Sequence, residues 1–259
     1  MSKGLFLHYG PGGNAAIERE YFKEIKSKID FWDQPLSKNN SNVLDALVES
    51  VVIKINSENY EYFIGHSFGC DLLTLAFSKM KKALPAKTVL ISPLMSIQKS
   101  VINLSTQLNQ LNKSEEINFI LDKLTKDSFE QIETEHFWKL CHLNSTHTHY
   151  HEIFWHSKIH FSRIINIHKS ARAFDAKFWQ QTMYEYLIAN KNSLVINKKF
   201  QGSIVLGKND PYYNTEDFNL WEISLVQDQL FVIDKSGHFP HIEQKSVFLN
   251  ILEKTIGKT

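Results

Sequence analysis

The sequence predicts an α/β protein of about six parallel strands flanked by helices, with a helical insert of roughly a hundred residues breaking the alternation. Three observations carry that expectation. In the first third of the chain, short apolar runs bounded by turn residues alternate with segments of helical spacing. From about Leu94 to about Asn192 helical spacing continues, rich in aromatics and His, with no convincing strand. Strand-like runs then resume, and a helix closes the chain.

The first four strands are expected at Gly4–His8, Ile29–Trp32, Tyr60–Ile64 and Thr88–Ile91, each a short run of apolar or aromatic residues. Val43, Leu44, Leu47, Val48, Val51 and Val52 make one helical stripe; Leu72, Leu73, Leu75, Ala76 and Met80 make another. After the insert, Ser203–Leu206 and Gln229–Ile233 read as strands, with a helix around Glu216–Val226 between them and a closing helix at Val247–Ile256. Residues 1–94 and 193–259 then form an α/β core, and 95–192 a helical cap over one edge of the sheet.

Composition narrows the function classes. The 259 residues carry 29 Lys and Arg against 28 Asp and Glu, so a net charge of +1 supplies no global field for nucleic acid or an anionic membrane. Two cysteines, Cys70 and Cys141, exclude a disulfide framework and any Cys-based structural zinc site. No apolar run approaches the roughly 20 residues that span a bilayer. The stretch Gly4–Leu7 is too short for a secretory signal. A cytoplasmic protein is the expectation.

The strongest local signal is Gly65-His66-Ser67-Phe68-Gly69, which follows the run Tyr60–Ile64 and precedes the helical pattern from Cys70. This is G-x-S-x-G in strand–turn–helix context, a nucleophile elbow. Side chains in place of the glycines would collide with the neighbouring strand and helix, and the helix N-terminus favours a developing oxyanion. A serine hydroxyl needs a base. His238, in Ser236-Gly237-His238-Phe239-Pro240 after the last strand, is the candidate. Asp210, in Gly207-Lys208-Asn209-Asp210-Pro211 after the preceding strand, would orient the imidazole. Asp234 is the rival acid, but it ends a strand rather than occupying a loop that faces the histidine. His241 is the rival base, better suited to a surface or helix-start position. The backbone amide of Phe68 would bind the oxyanion, joined by that of Gly10 or, next, Tyr9 in the loop His8-Tyr9-Gly10-Pro11-Gly12-Gly13. Pro11 has no N–H to offer.

Together these segments resemble the α/β-hydrolase family over the whole chain, in the order Ser67, Asp210, His238. His8–Gly12 is similar to the family's His-Gly-Gly-Pro-Gly oxyanion motif, with Tyr9 in place of its first glycine. The family usually has two strands before that motif; here it begins at residue 8, which leaves six strands. The resemblance implies a serine hydrolase working through an acyl-enzyme, without metal or organic cofactor, on a carboxylic ester or thioester. Proline-iminopeptidase-like, lactone or C–C hydrolysis is the alternative, since His-x-Gly-Pro-Gly and Asp33-Gln34 resemble iminopeptidases, although Phe68 stands where they carry Trp. A non-catalytic small-ligand-binding relative is the alternative from another class.

The insert offers two further signals. Its histidines include His147, His149 and His151 on an extended segment and His156 with His160 on a helix face, but His151-Glu152-Ile153-Phe154-Trp155-His156 is one residue too long for H-E-x-x-H, so polar surface is expected. Aromatics concentrate at Phe154, Trp155, Phe161, Phe174, Phe178, Trp179, Tyr184 and Tyr186. Most would pack the cap; the remainder, with Tyr9, His66, Phe68 and Phe239, would line an apolar acyl pocket, of which Trp155, Phe178 and Trp179 are the cap's candidates. Lys158, Arg163, Lys169 and Arg172 form a basic stretch without Asp or Glu between Ile153 and Phe174. A solvated helix face is the plainer explanation; an acyl carrier protein docking there, as the resemblance to biotin-pathway carboxylesterases implies, is the functional one.

Overall fold

The structure is a computed structural model of the full chain, and it describes residues 3–25, 28–35, 42–126, 133–171, 175–189, 200–225 and 229–257. Six parallel strands form one sheet in the order β2-β1-β3-β4-β5-β6: β1 Gly4–Leu7, β2 Ile29–Trp32, β3 Tyr62–His66, β4 Thr88–Ile91, β5 Ser203–Gly207 and β6 Leu230–Ile233. The four inner strands are buried throughout, as strands covered on both faces must be, while the edge strand β2 alternates buried with half-buried residues.

Alternation along β1 sorts its side chains between the two faces. Leu5 and Leu7 join the core under helices α2 (Val43–Ser57) and α3 (Phe68–Lys79). Phe6 joins the opposite core under α1 (Ala16–Tyr21) and α11 (Lys245–Ile256). The stripe expected over 43–52 packs as read, with Val43, Leu44, Leu47, Val48 and Val51 buried. Asn42 caps α2 by accepting from the Asp45 N–H, and Asn214 with Asp217 forms a reciprocal capping box at α9 (Thr215–Ser224).

Between β4 and β5 come α4 (Ile97–Leu111), α5 (Glu115–Lys126), α6 (Glu133–Thr146), α7 (Lys158–Ser170) and α8 (Ala176–Ala189), with no strand among the described residues. Ile117, Ile120, Leu124 and Leu140 form a small core of the insert's own. Phe137, Phe178, Met183 and Tyr186 instead join the main core on the α2–α3 face, and Ile164 joins the other. The insert therefore packs against both faces of the α/β core.

Several boundaries move. The third strand starts at Tyr62, not Tyr60, and runs on to His66, because parallel pairing with β1 (Leu7 beside Gly65) and β4 (His66 beside Ile91) draws the first two motif residues into the ladder. His8 leaves β1, β5 extends to Gly207, and β6 begins at Leu230. The helix expected over Glu216–Val226 is Thr215–Ser224, and the closing helix starts two residues early at Lys245. Two short helices escaped the periodicity: α1, and α10 (Pro240–Glu243), whose Pro240 suits a first helical position. His147, His149 and His151 lie in turns rather than an extended segment, and His156 precedes α7, so it shares no helix face with His160.

Candidate active site

The sheet order places a topological switch between β1 and β3: the chain leaves β1 for β2 on one side and returns to β3 on the other. Crevices at such switch points, beyond the carboxyl ends of the strands, are where open α/β sheets bind ligands. Ser67 occupies that end of β3 and the loop His8–Gly13 that of β1. Since all six strands are parallel, the loops after β5 and β6, which carry Asp210 and His238, open on the same edge.

Ser67 has φ +52° and ψ −121°, a conformation that L-residues rarely adopt. Its N–H donates to the Ile91 carbonyl at 2.8 Å and its carbonyl accepts from Cys70 N–H at 2.8 Å, so both neighbours hold the turn in place. The flanking glycines are steric necessities: a Cβ on Gly69 would lie 2.2 Å from the Leu7 carbonyl oxygen, and one on Gly65 2.9 Å from the Cys70 backbone. Phe68 begins α3, so its N–H is among the amides a helix leaves unpaired at its start.

Asp210 and His238 are brought together. His238 Nδ1 donates to Asp210 Oδ2 at 2.7 Å, with both side chains buried. Asp210 Oδ1 also accepts from the Tyr212 N–H at 3.0 Å, which fixes the carboxylate plane. Tyr212 and Phe154 flank the imidazole, their ring centroids 4.9 and 5.8 Å from it. The backbone is pinned as well: His238 N–H donates to the Phe154 carbonyl at 2.8 Å, and His66 Nε2 donates to the His238 carbonyl at 2.8 Å. Ser67 is the next residue after His66.

The rivals separate. Asp234 is 74% exposed and pairs with Lys208 at 2.7 Å, away from His238. His241 is not at the surface; it is fully buried in α10, its Nε2 3.6 Å from the Glu18 carboxylate. Cys70 packs in the interior, and burial pushes its thiol well above the usual range.

The loop after β1 is held by the pair Asp33-Gln34. Gln34 Nε2 donates to the Gly10 carbonyl at 3.0 Å while its Oε1 accepts from Gly12 N–H at 3.0 Å. Asp33 accepts from Ala15 N–H and takes the Arg19 guanidinium. Gly10 has φ +62°. Among the expected pocket residues, Trp155 stacks on Phe239 (4.1 Å between centroids, 9°), and Tyr9 meets Phe239 edge-on at 5.0 Å. Phe68 is buried against Tyr186, and Phe178 is buried beside Gly12. Trp179 meets Trp138 edge-on, and Tyr184 is exposed. The His66 ring faces the interior rather than open space. Two surface clefts of about 380 and 1190 Å³ are lined by other residues, Arg163 among them, and neither includes Ser67. Arg163 lies over the Tyr21 ring and 3.5 Å from Glu20; Arg172 and Phe174 fall outside the described residues.

A residue that sequence reasoning missed is Glu243. Its carboxylate accepts from the N–H groups of Gly237 at 2.6 Å and Ser157 at 2.7 Å, tying the His238 loop to the insert. Burial raises its pKa. Glu18 was missed too, since nothing in its local sequence distinguishes it from a surface helical glutamate.

A six-stranded parallel sheet with helices on both faces, a serine turn after β3 and acid and histidine loops after β5 and β6 is the α/β-hydrolase fold. Solved structures agree. The chain superposes on a proline iminopeptidase-related protein from Thermus thermophilus with a TM-score of 0.65 at 15% identity, covering 98% of this chain and 89% of that one. It superposes on a 2-hydroxy-6-oxo-6-phenylhexa-2,4-dienoate hydrolase from a Rhodococcus species with a TM-score of 0.60 at 13% identity, covering 98% and 90%. For the proline iminopeptidase of Mycobacterium smegmatis the TM-score is 0.58 at 11% identity, covering 98% and 89%. Comparison with protein-family profiles and with curated protein sequences gave no match.

Proposed function

We propose that the protein is a serine hydrolase that cleaves a carboxylic ester or thioester through an acyl-enzyme. The observation that carries this reading is the strained Ser67 turn at the same sheet edge as the buried Asp210–His238 pair. With Nδ1–H given to Asp210, the neutral imidazole keeps its lone pair on Nε2, the form a general base requires. His238 takes the Ser67 hydroxyl proton as Oγ attacks the acyl carbonyl, and returns it to the leaving alcohol or thiol. Water then enters, His238 again acts as base, and the carboxylic acid leaves. Asp210 holds the ring in place and stabilises the imidazolium that forms. The amides of Phe68 and of Gly10 or Tyr9 bind the oxyanion; the Gln34 clamp on the Gly10 carbonyl and the Gly12 N–H supports that assignment by holding the loop rigid.

The insert acts as a cap in this reading. Phe154, Tyr212 and Phe239 surround His238 with apolar surface, extended by Trp155 stacked on Phe239, which favours an uncharged acyl group over a charged one. Purified protein is expected to turn over short-chain nitrophenyl esters, and Ser67→Ala to lose that activity. Turnover of aminoacyl-naphthylamides without any turnover of esters would replace this reading with an aminopeptidase.

A further inference from the structure

Directly beneath the Ser67–His238 edge lie three ionisable side chains that the proposed reaction does not use. Glu18 comes from α1, His66 from the end of β3 and His241 from α10, and all three are fully buried. Glu18 Oε1 is 3.8 Å from His66 Nδ1 and 3.6 Å from His241 Nε2, and the three candidate ligand atoms lie within 4.8 Å of one another. Neither Glu18 oxygen, nor His66 Nδ1, nor either His241 ring nitrogen has a hydrogen-bond partner among the described residues.

Such spacing does not fit a hydrogen-bonded cluster. Where a histidine donates to a carboxylate in this same molecule, at His238 and Asp210, the contact closes to 2.7 Å. An ion held about 2.0–2.2 Å from each donor sets tetrahedral neighbours about 3.3–3.6 Å apart, close to the two Glu18 separations. The tautomer argues the same way. His66 Nε2 faces a carbonyl, which only accepts, so the proton sits on Nε2 and the neutral ring turns its Nδ1 lone pair toward the Glu18 carboxylate. A lone pair facing a carboxylate in a dry interior is repulsive unless a proton or a metal ion lies between them, and at 3.8 Å the gap is too wide for a shared proton.

We propose that Glu18, His66 and His241 form an interior metal site for a divalent transition-metal ion of the zinc class. Two imidazoles and one carboxylate suit such an ion and not calcium or magnesium, which take oxygen ligands. The His66–His238 carbonyl contact is the outer hydrogen bond that metal-bound histidines carry on their second nitrogen. Phe22 lies parallel to the His241 ring at 6.2 Å, and Phe6 and Phe248 complete an apolar wall. Such an ion would fasten α1, the serine turn and the segment after His238 to one point, and it would enter as the chain folds. This site is independent of the reaction assigned to Ser67.

The test uses untagged full-length protein, unfolded in guanidinium with EDTA and refolded with or without zinc chloride. Refolding with zinc is expected to give about one bound equivalent by elemental analysis and a melting temperature about 5 °C above the zinc-free preparation. Glu18→Gln and His241→Gln should each reduce uptake at least tenfold, on the order of 1.4 kcal/mol of affinity lost. A triple His147→Gln, His149→Gln, His151→Gln variant should keep it. X-ray absorption of the wild-type zinc form should show a nitrogen/oxygen shell near about 2.0 Å with outer imidazole scattering, a readout that survives if the variants fail to fold. No uptake by the wild type, uptake abolished by the triple variant, or a shell without imidazole would each overturn the site.

Discussion

At the scale of single residues, the proposed reaction depends on which carboxylate orients His238. Asp210→Asn would leave the ring without its anionic partner and is expected to lower kcat for a nitrophenyl ester by about 10³–10⁴ with an unchanged circular-dichroism spectrum. Asp234→Asn, at an exposed carboxylate paired with Lys208, should change kcat less than twofold. If the two variants lose activity equally, the orienting role is misassigned. Gly207 gives a steric test of the same loop. A Cβ there would sit 1.8 Å from the Gly237 carbonyl oxygen, so Gly207→Ala should displace the His238 loop and depress kcat far more than KM. Ser67, Asp210 and His238 could be picked out in the sequence because each sits in a loop whose neighbours have one demanding backbone task. Glu18 and Glu243 could not, because their roles depend on partners brought close only by the fold.

At the scale of elements, two buried carboxylates join the α/β core to the insert. Asp71 on α3 accepts from the Tyr186 hydroxyl of α8 at 3.0 Å, and burial raises its pKa to about 7, against the hydrogen bond from Tyr186. Cys70 and Tyr213 also lie near it and supply no positive charge. Below about pH 4 the group is protonated whether the chain is folded or not, and it costs nothing. As pH rises toward about 7 the unfolded chain ionises first, so stability falls across that window and stays reduced above it. Asp71→Asn should therefore raise stability at pH 8 by on the order of 2–4 kcal/mol and have little effect at pH 4, as read by urea unfolding at both pH values. Equal effects at both would contradict the titration. Glu243→Ala removes the acceptor for two backbone N–H groups and should cost about 2–3 kcal/mol, seen as a melting temperature lower by about 4–10 °C. The periodic elements were legible because their apolar stripes face a sheet covered on both sides. The short helices α1 and α10 were not, having too few turns to display a period, and β3 was misplaced because pairing with β1 and β4, not composition, sets its end.

At the scale of the molecule, the parallel sheet delivers the loops after β1, β3, β5 and β6 to one edge, and Phe154 and Trp155 of the insert pack against the loop after β6. Among the described residues no helix is long and apolar enough to cross a membrane. The doubly covered sheet and the helical insert were readable from alternation and its interruption; how the insert splits between both core faces was not, since its helices carry aromatics on several sides. What the arrangement is for rests on one atom, Ser67 Oγ, being a nucleophile activated by His238. A fluorophosphonate probe reads that directly. Wild-type protein should be labelled at a single serine, while Ser67→Ala should not be labelled at all and His238→Ala should be labelled at least a hundredfold more slowly. Equal labelling of wild type and Ser67→Ala, or a folded wild type that takes up no probe, would contradict the account.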